Sequence, residues 1–364
     1  MGESPSTDGL LGSGSLVNRF ETRPGRAIVA LWLVGGALVM LGFEACYRFQ
    51  VIDFYGADLR RANEAATLEP GSRAGRTLLF MGDSFTGWPT SYPSLLRERL
   101  GSGVRVINSG VSGFTLRQIV RVLPGRLTTF EPDTVVVQLF AGNDLVELRH
   151  PVAWSRLSPL RNLFWIASDS PLESVGFINY RLGSLQGLLL RRLRGAPEAA
   201  DRAAPAGFTI ERFSAHEKTL IAAEPDYVEA QLRVDARYQD AYARYLRLLG
   251  QALDLATPVA RRVFVLVVPD PVQIHERYVE RLRLLGGAAS SARAVEASSP
   301  FLDGVAAVVL SRPGVLLIDP LTALRQEEKE GRAVVRDTDL HLNPRGQEVL
   351  ADLVLRELQA SPRR

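Results

Sequence analysis

The sequence predicts an α/β fold built on a parallel sheet, and three observations predict it. First, apolar runs of strand length recur: TLLFM (77–81), VRVIN (104–108), TVVVQLF (134–140), VFVLVV (263–268) and VLLID (315–319). Second, each run is near-continuously apolar rather than alternating, as expected of strands covered on both faces. Third, segments of helical period lie between them, and strands that alternate with helices argue for parallel order in a layered domain.

The elements follow in chain order. Residues 1–26 are rich in Gly, Ser and Thr and read as a disordered cytoplasmic segment. Its start, MGESPS, fits a myristoylation pattern that is short enough to arise by chance. AIVALWLVGGALVMLGF (27–43) carries no charge. At 1.5 Å per residue it reaches roughly 26 Å, short of a bilayer core of about 30 Å, and continuing to Tyr47 completes a span. A buried helix or a cleaved signal peptide has similar composition. A signal peptide has a shorter apolar core and small residues at its cleavage site, and GFEAC, with Glu44 ahead of Cys46, is a poor one. The expectation is a retained transmembrane helix, 27–47. Arg19, Arg23 and Arg26 precede it, which places the N-terminus inside the cytoplasmic membrane and the rest outside it.

Residues 48–76 read as a juxtamembrane linker ending in EPGSRAGR, and residues 77–360 as the main domain. YPSLLRERL and LRQIVRVLPGRL are its first helices. About 110 residues then separate Asp144 from the strand at Val263, far more than an ordinary α/β connection. This predicts a helical insertion over about 151–260, a cap or lid. Within it, YVEAQLRVDARYQDAYARYLRLLGQALDLA is helical in pattern. INYRLGSLQGLLLRRLRG is a basic amphipathic helix, suited to a membrane surface or, as expected here, to packing on its own domain.

Composition narrows the function. The 364 residues are 46% hydrophobic and 23% charged, enough for a sizeable core. A net charge of +3 from scattered basic residues argues against a nucleic-acid partner. Cys46 is the only cysteine, so no intrachain disulfide or Cys/His metal cluster is possible. There is no P-loop, HExxH or post-strand GxGxxG, and nothing implies a cofactor or metal. The sequence names no protein partner.

Four strand ends carry polar groups, where open α/β sheets bind ligands. They are GDSF (82–85), NSGVSGFT (108–115), AGNDL (141–145) and, opening a final helix, DTDLHLNPRGQEVLA from Asp337. Taken singly, Ser84 suits a turn residue, a helix cap or a nucleophile. Gly110, Gly113 and Asn143 suit turns.

Together the four blocks resemble the SGNH (GDSL-type) hydrolase family, over roughly residues 77–150 and 263–359. The resemblance implies a three-layer flavodoxin-like parallel sheet. It implies Ser84 as nucleophile, His341 as the base that removes its proton, and Asp339 as the acceptor that holds the imidazole. It implies an oxyanion hole from the backbone N–H groups of Ser84 and Gly113 and the side-chain amide of Asn143. Asp83 and Asp144 are family residues expected to brace the loops.

One departure stands out. Many members carry Asp-x-x-His, but that slot is Thr338 here, and the acid sits in Asp339-Leu340-His341. This spacing resembles a branch that includes exopolysaccharide O-acetylation proteins. Asp337 is an alternative orienter. His150, His216 and His275 lack a comparable setting and are expected to be structural or exposed. An α/β-hydrolase elbow needs Gly two residues after the nucleophile, where Thr86 stands.

The implied activity is a serine esterase that removes an acyl group from a glycan or lipid ester outside the membrane. An O-acyltransferase on an envelope or exported polysaccharide would use the same residues, and a non-catalytic envelope binding module would keep the fold alone. The segment SPLRNLFWIASDSPL (158–172) is expected to shape the pocket, and Trp88 either to line it or to pack.

Overall fold

The computed structural model describes residues 24–64, 75–148, 172–178, 181, 182, 185, 207–289 and 299–360. The chain divides into two compact units, Met1–Cys46 and Tyr47–Arg364. In the first, a helix begins at Pro24 and runs on to Arg48. Its stretch Ala27–Arg48, with mean hydropathy 2.0, is the one helix among the described residues long and apolar enough to cross a membrane.

The second unit is built on five parallel strands: β1 (Arg76–Met81), β2 (Val104–Asn108), β3 (Thr134–Phe140), β4 (Arg262–Val268) and β5 (Val315–Ile318). Their order is β2-β1-β3-β4-β5. Each expected run becomes a strand within one residue at either end. Nearly every strand residue is buried, which is why the runs lack alternation.

One face of the sheet packs Leu78, Phe80, Val136, Phe264 and Leu266 against the helices Tyr92–Leu100, Leu321–Lys329 and Pro344–Gln359. The helices Leu116–Phe130, Gln239–Ala256 and Pro300–Leu310 form the opposite layer. The chain goes from β1 outward to β2, then returns past β1 to β3. The strand order therefore reverses between β1 and β3, and a crevice opens at their carboxyl ends.

Three expectations about the connections change. The segment read as a linker folds into the body as far as residue 64. Phe54, Tyr55 and Leu59 are buried, as is Tyr47 just ahead of that segment, and a helix runs over Gly56–Ala62. Asn63 then pairs with the edge of β2, donating to the Asn108 carbonyl at 2.7 Å and accepting the Asn108 N–H at 2.9 Å. A seven-residue helix is too short to print a 3.6-residue period, which is why the sequence hides it.

The stretch read as one helical pattern is two helices, Tyr227–Leu232 and Gln239–Ala256. Val234 at φ 52° and a turn in which Asp235 accepts the Arg237 N–H interrupt it. The second of these helices is the crossover from β3 to β4 and belongs to the sheet's own layers, not to a cap. The basic amphipathic segment lies for the most part, and SPLRNLFWIASDSPL almost wholly, outside the described residues.

Candidate active site

The end of β1 is shaped by β3. Gln138, a polar residue inside an apolar strand, accepts the Asp83 N–H at 3.1 Å and the Thr86 hydroxyl at 2.9 Å. A Cβ on Gly82 would stand 2.4 Å from that same Gln138 oxygen, so only glycine fits. Asp83 then caps a single helical turn, Ser84–Gly87, accepting the Phe85 N–H at 2.8 Å. Ser84 is the first residue of that turn, where the backbone N–H has no acceptor within the helix.

The loop after β2 closes against the same turn. Asn108 donates to the Thr86 carbonyl at 2.7 Å and accepts the Gly110 N–H at 3.0 Å. Added Cβ atoms on Gly87 and Gly110 would meet the other loop's backbone at 2.8 and 2.7 Å.

His341 arrives from the segment between β5 and the last helix. The Val335–Leu342 bridge and the Arg336 N–H on the His341 carbonyl, at 2.9 Å, fold it back on itself. Asn343 caps the helix that follows, accepting the Gly346 N–H at 3.0 Å. The result is a chain of three groups. Ser84 Oγ lies 2.7 Å from His341 Nε2, and His341 Nδ1 lies 3.1 Å from Asp339 Oδ1. With Nδ1 protonated toward Asp339, Nε2 is left to accept the serine proton.

The same Asp339 oxygen accepts the His341 backbone N–H at 2.8 Å. This second bond is what the one-residue spacing between acid and histidine allows. Burial opposes the charge on Asp339, but the hydrogen bond and charge of His341, with help from Arg336, hold its carboxyl below the ordinary value. Asp337 faces elsewhere: it pairs with Arg281 and accepts the Gly207 N–H at 3.1 Å.

Aromatic rings fix the imidazole. Trp88 stacks on it at 4.8 Å and 26°, Phe85 packs at 5.0 Å, and the Arg336 guanidinium lies 4.2 Å from the Trp88 ring centre. Sequence reading left Trp88 between pocket lining and packing; it packs on the imidazole itself.

Ser84, His341 and Asn143 line one small cleft. Its apolar wall is Phe85, Phe140, Leu220 and Leu340, and Glu217 and Tyr227 complete it. Gly113 is not in this wall. It is exposed, with φ 77°, at the third position of a turn closed by the Phe114 N–H on the Val111 carbonyl, where a type II turn calls for glycine.

Asp83 and Asp144 sit behind the cleft. Asp144 accepts the Phe140 N–H at 3.1 Å and the Tyr245 hydroxyl at 2.8 Å. Burial pushes Asp83 up to about 6, and burial together with the Asp83 charge pushes Asp144 up to about 8. Both are hydrogen-bonded to backbone of their own loops. His275 caps a helix through the Arg277 N–H at 3.1 Å. His150 and the side chain of His216 lie outside the described residues.

Sequence reading missed Glu217, Tyr227, Gln231 and Asp270. Gln231 donates to the Gly142 carbonyl. Asp270 caps the turn after β4, and its second oxygen would lie 2.6 Å from a Cβ on Gly142. Between them they position the loop that carries Asn143. A signal existed only for Asp270, a polar residue two positions after an apolar strand. Among the described residues no group of three or more His, Cys, Asp or Glu side chains is arranged to hold a metal.

A profile of the GDSL-like lipase/acylhydrolase family matches residues 80–349. No curated protein matches the chain. Among solved structures, the chain is similar to LAE5, an alpha/beta hydrolase enzyme from the metagenome of Lake Arreo, Spain. That similarity is at 17% identity and TM-score 0.40, over 78% of this chain and 94% of the other. It is also similar to Axe2, an acetylxylan esterase from Geobacillus stearothermophilus, at 16% identity and TM-score 0.39, over 80% of this chain and 97% of the other.

Proposed function

The chain belongs to the GDSL-like lipase/acylhydrolase family, enzymes that act on ester bonds, and from that premise we propose that it is a serine esterase whose nucleophile is Ser84. The observation that carries this reading is the line from Ser84 Oγ through His341 to Asp339, at 2.7 and 3.1 Å. His341 takes the serine proton as Oγ attacks the ester carbonyl, and Asp339 stabilises the imidazolium that forms. The Asn143 amide and the Ser84 N–H receive the oxyanion. His341 then returns the proton to the leaving alcohol. A water deprotonated by the same imidazole releases the acid from Ser84.

The substrate is an acylated glycan or lipid ester. The body works outside the cytoplasmic membrane, held there by the apolar helix, with Arg19, Arg23 and Arg26 on the inner side.

The test is hydrolysis of p-nitrophenyl acetate and longer p-nitrophenyl esters by the detergent-solubilised full chain beside Ser84→Ala. Labelling by a fluorophosphonate probe is read in parallel. Serine-dependent turnover and labelling at Ser84 are expected. Absence of both in a folded protein would overturn the assignment. An acyl-serine that water leaves intact and a sugar hydroxyl discharges would move it to an acyltransferase.

A further inference from the structure

Two polar side chains in the cleft take no part in the reaction above, and both come from the helical segment between β3 and β4. Glu217, in the first turn of helix Ala215–Ala223, is 7% exposed, and Tyr227, which opens the next helix, is fully buried. They share the cleft with Ser84 and His341. Among the described residues, Glu217 Oε2 and the Tyr227 hydroxyl each lack a hydrogen-bond partner. A buried polar group left unpaired costs about 1–3 kcal/mol, and more when charged, so two in one small cleft mark a place made for something else.

Both are fixed relative to Ser84. The Ser214 N–H at the start of the Glu217 helix donates to the Thr338 carbonyl at 2.8 Å, one residue before Asp339. The Tyr227 helix holds the Asn143 loop through Gln231 on the Gly142 carbonyl. The two groups therefore keep register with the nucleophile and the oxyanion donor.

Their chemistry specifies the guest. An ionised carboxylate only accepts hydrogen bonds, whereas a phenol can donate. A group that donates to Glu217 and accepts from Tyr227 satisfies both, and an alcohol hydroxyl does so with one atom. An alkyl chain satisfies neither and would lie against an unpaired acid. Building on Ser84 as the nucleophile, we propose that Glu217 and Tyr227 form a subsite for a free hydroxyl on the alcohol side of the ester. The preferred carrier is then a polyhydroxy molecule, a partly acylated sugar, rather than a lipid or simple alcohol. Burial raises the carboxyl of Glu217 above its ordinary range, while the nearby His341 charge works in the other direction.

The experiment compares two acetates that share an acyl group, monoacetylated methyl glucoside and butyl acetate. The full chain, Glu217→Gln and Tyr227→Phe are assayed, each checked by thermal melting and by fluorophosphonate labelling of Ser84. The wild type is expected to favour the sugar acetate by tenfold or more in kcat/KM. Each variant is expected to shrink that ratio about tenfold, mainly through KM on the sugar ester. A labelled wild type that treats both acetates alike overturns the subsite. So do variants that lower both substrates in equal proportion, which is the pattern of a merely structural role. A wild type that neither labels nor hydrolyses either acetate removes the Ser84 assignment, and the subsite with it.

Discussion

Replacing Asp339 by Asn separates charge from geometry at the base. In the structure one carboxylate oxygen accepts both the His341 backbone N–H, at 2.8 Å, and Nδ1, at 3.1 Å. An Asn side chain in the same place has to keep its oxygen there. Turning its NH₂ inward would set two donors against each other at the backbone, a loss of about 1–3 kcal/mol. The substitution therefore retains the tautomer and removes only the anion that stabilises the imidazolium. For a pair 3.1 Å apart whose side chains are 20% and 18% exposed, an effective dielectric of about 20–40 makes that attraction worth roughly 3–5 kcal/mol. The expected fall in kcat/KM is roughly 10² to 10⁴. The assay is p-nitrophenyl acetate hydrolysis, with Asp337→Asn alongside. Asp337 is committed to Arg281, so its variant should stay within a few fold of wild type. An Asp339→Asn enzyme within threefold of wild type would refute the reasoning, as would a larger loss from Asp337→Asn.

Two further outcomes concern stability. Burial pushes Asp270 from an ordinary 3.8 up to about 7, so the unfolded chain releases this proton first as pH rises. Stability should then fall between about pH 4 and 7 by on the order of 4 kcal/mol from this group. Asp83 and Asp144 act in the same direction. Asp270→Asn should flatten that slope in urea midpoints measured at pH 4.5, 6 and 7.5; an unchanged slope counts against a buried titrating carboxyl there. Gly110→Ala places a methyl 2.6 Å from the Thr86 Cβ and 2.7 Å from the Gly87 nitrogen. It should cost about 1–3 kcal/mol in urea unfolding and lower esterase activity by displacing the Ser84 turn; a variant as stable and active as wild type would deny that the two loops need this approach.

The five strands and three of the four polar blocks were legible because each is local. A doubly covered strand writes its burial into five to seven consecutive residues, GDSF and AGNDL act within a few residues of a strand end, and the Asp339–His341 block sits just ahead of the last helix's cap at Asn343. The block after β2 was legible only in part. Asn108 and Gly110 stitch that loop to the nucleophile turn, whereas Gly113 is placed by the φ its turn requires. Residues 47–64 were illegible for the opposite reason. Tyr47, Tyr55 and Asn63 are held by ring packing and by hydrogen bonds to residues far along the chain, and such partners leave no period in a short segment.

Glu217, Tyr227 and Gln231 show what local signals leave out. None follows a strand or belongs to a motif, because their positions are set by two long-range hydrogen bonds, Ser214 to Thr338 and Gln231 to Gly142. Those bonds join the segment between β3 and β4 to the two loops that hold the base and Asn143. A lid joined only to its own helices could move without disturbing the triad. This segment could not, since shifting the Glu217 helix would pull on the residue before Asp339. Chemistry and recognition are thus built on the same contacts. Substitutions that displace that segment should therefore alter which ester is chosen and how well the base is held at once, whereas Glu217→Gln and Tyr227→Phe each change one polar group and leave those contacts in place.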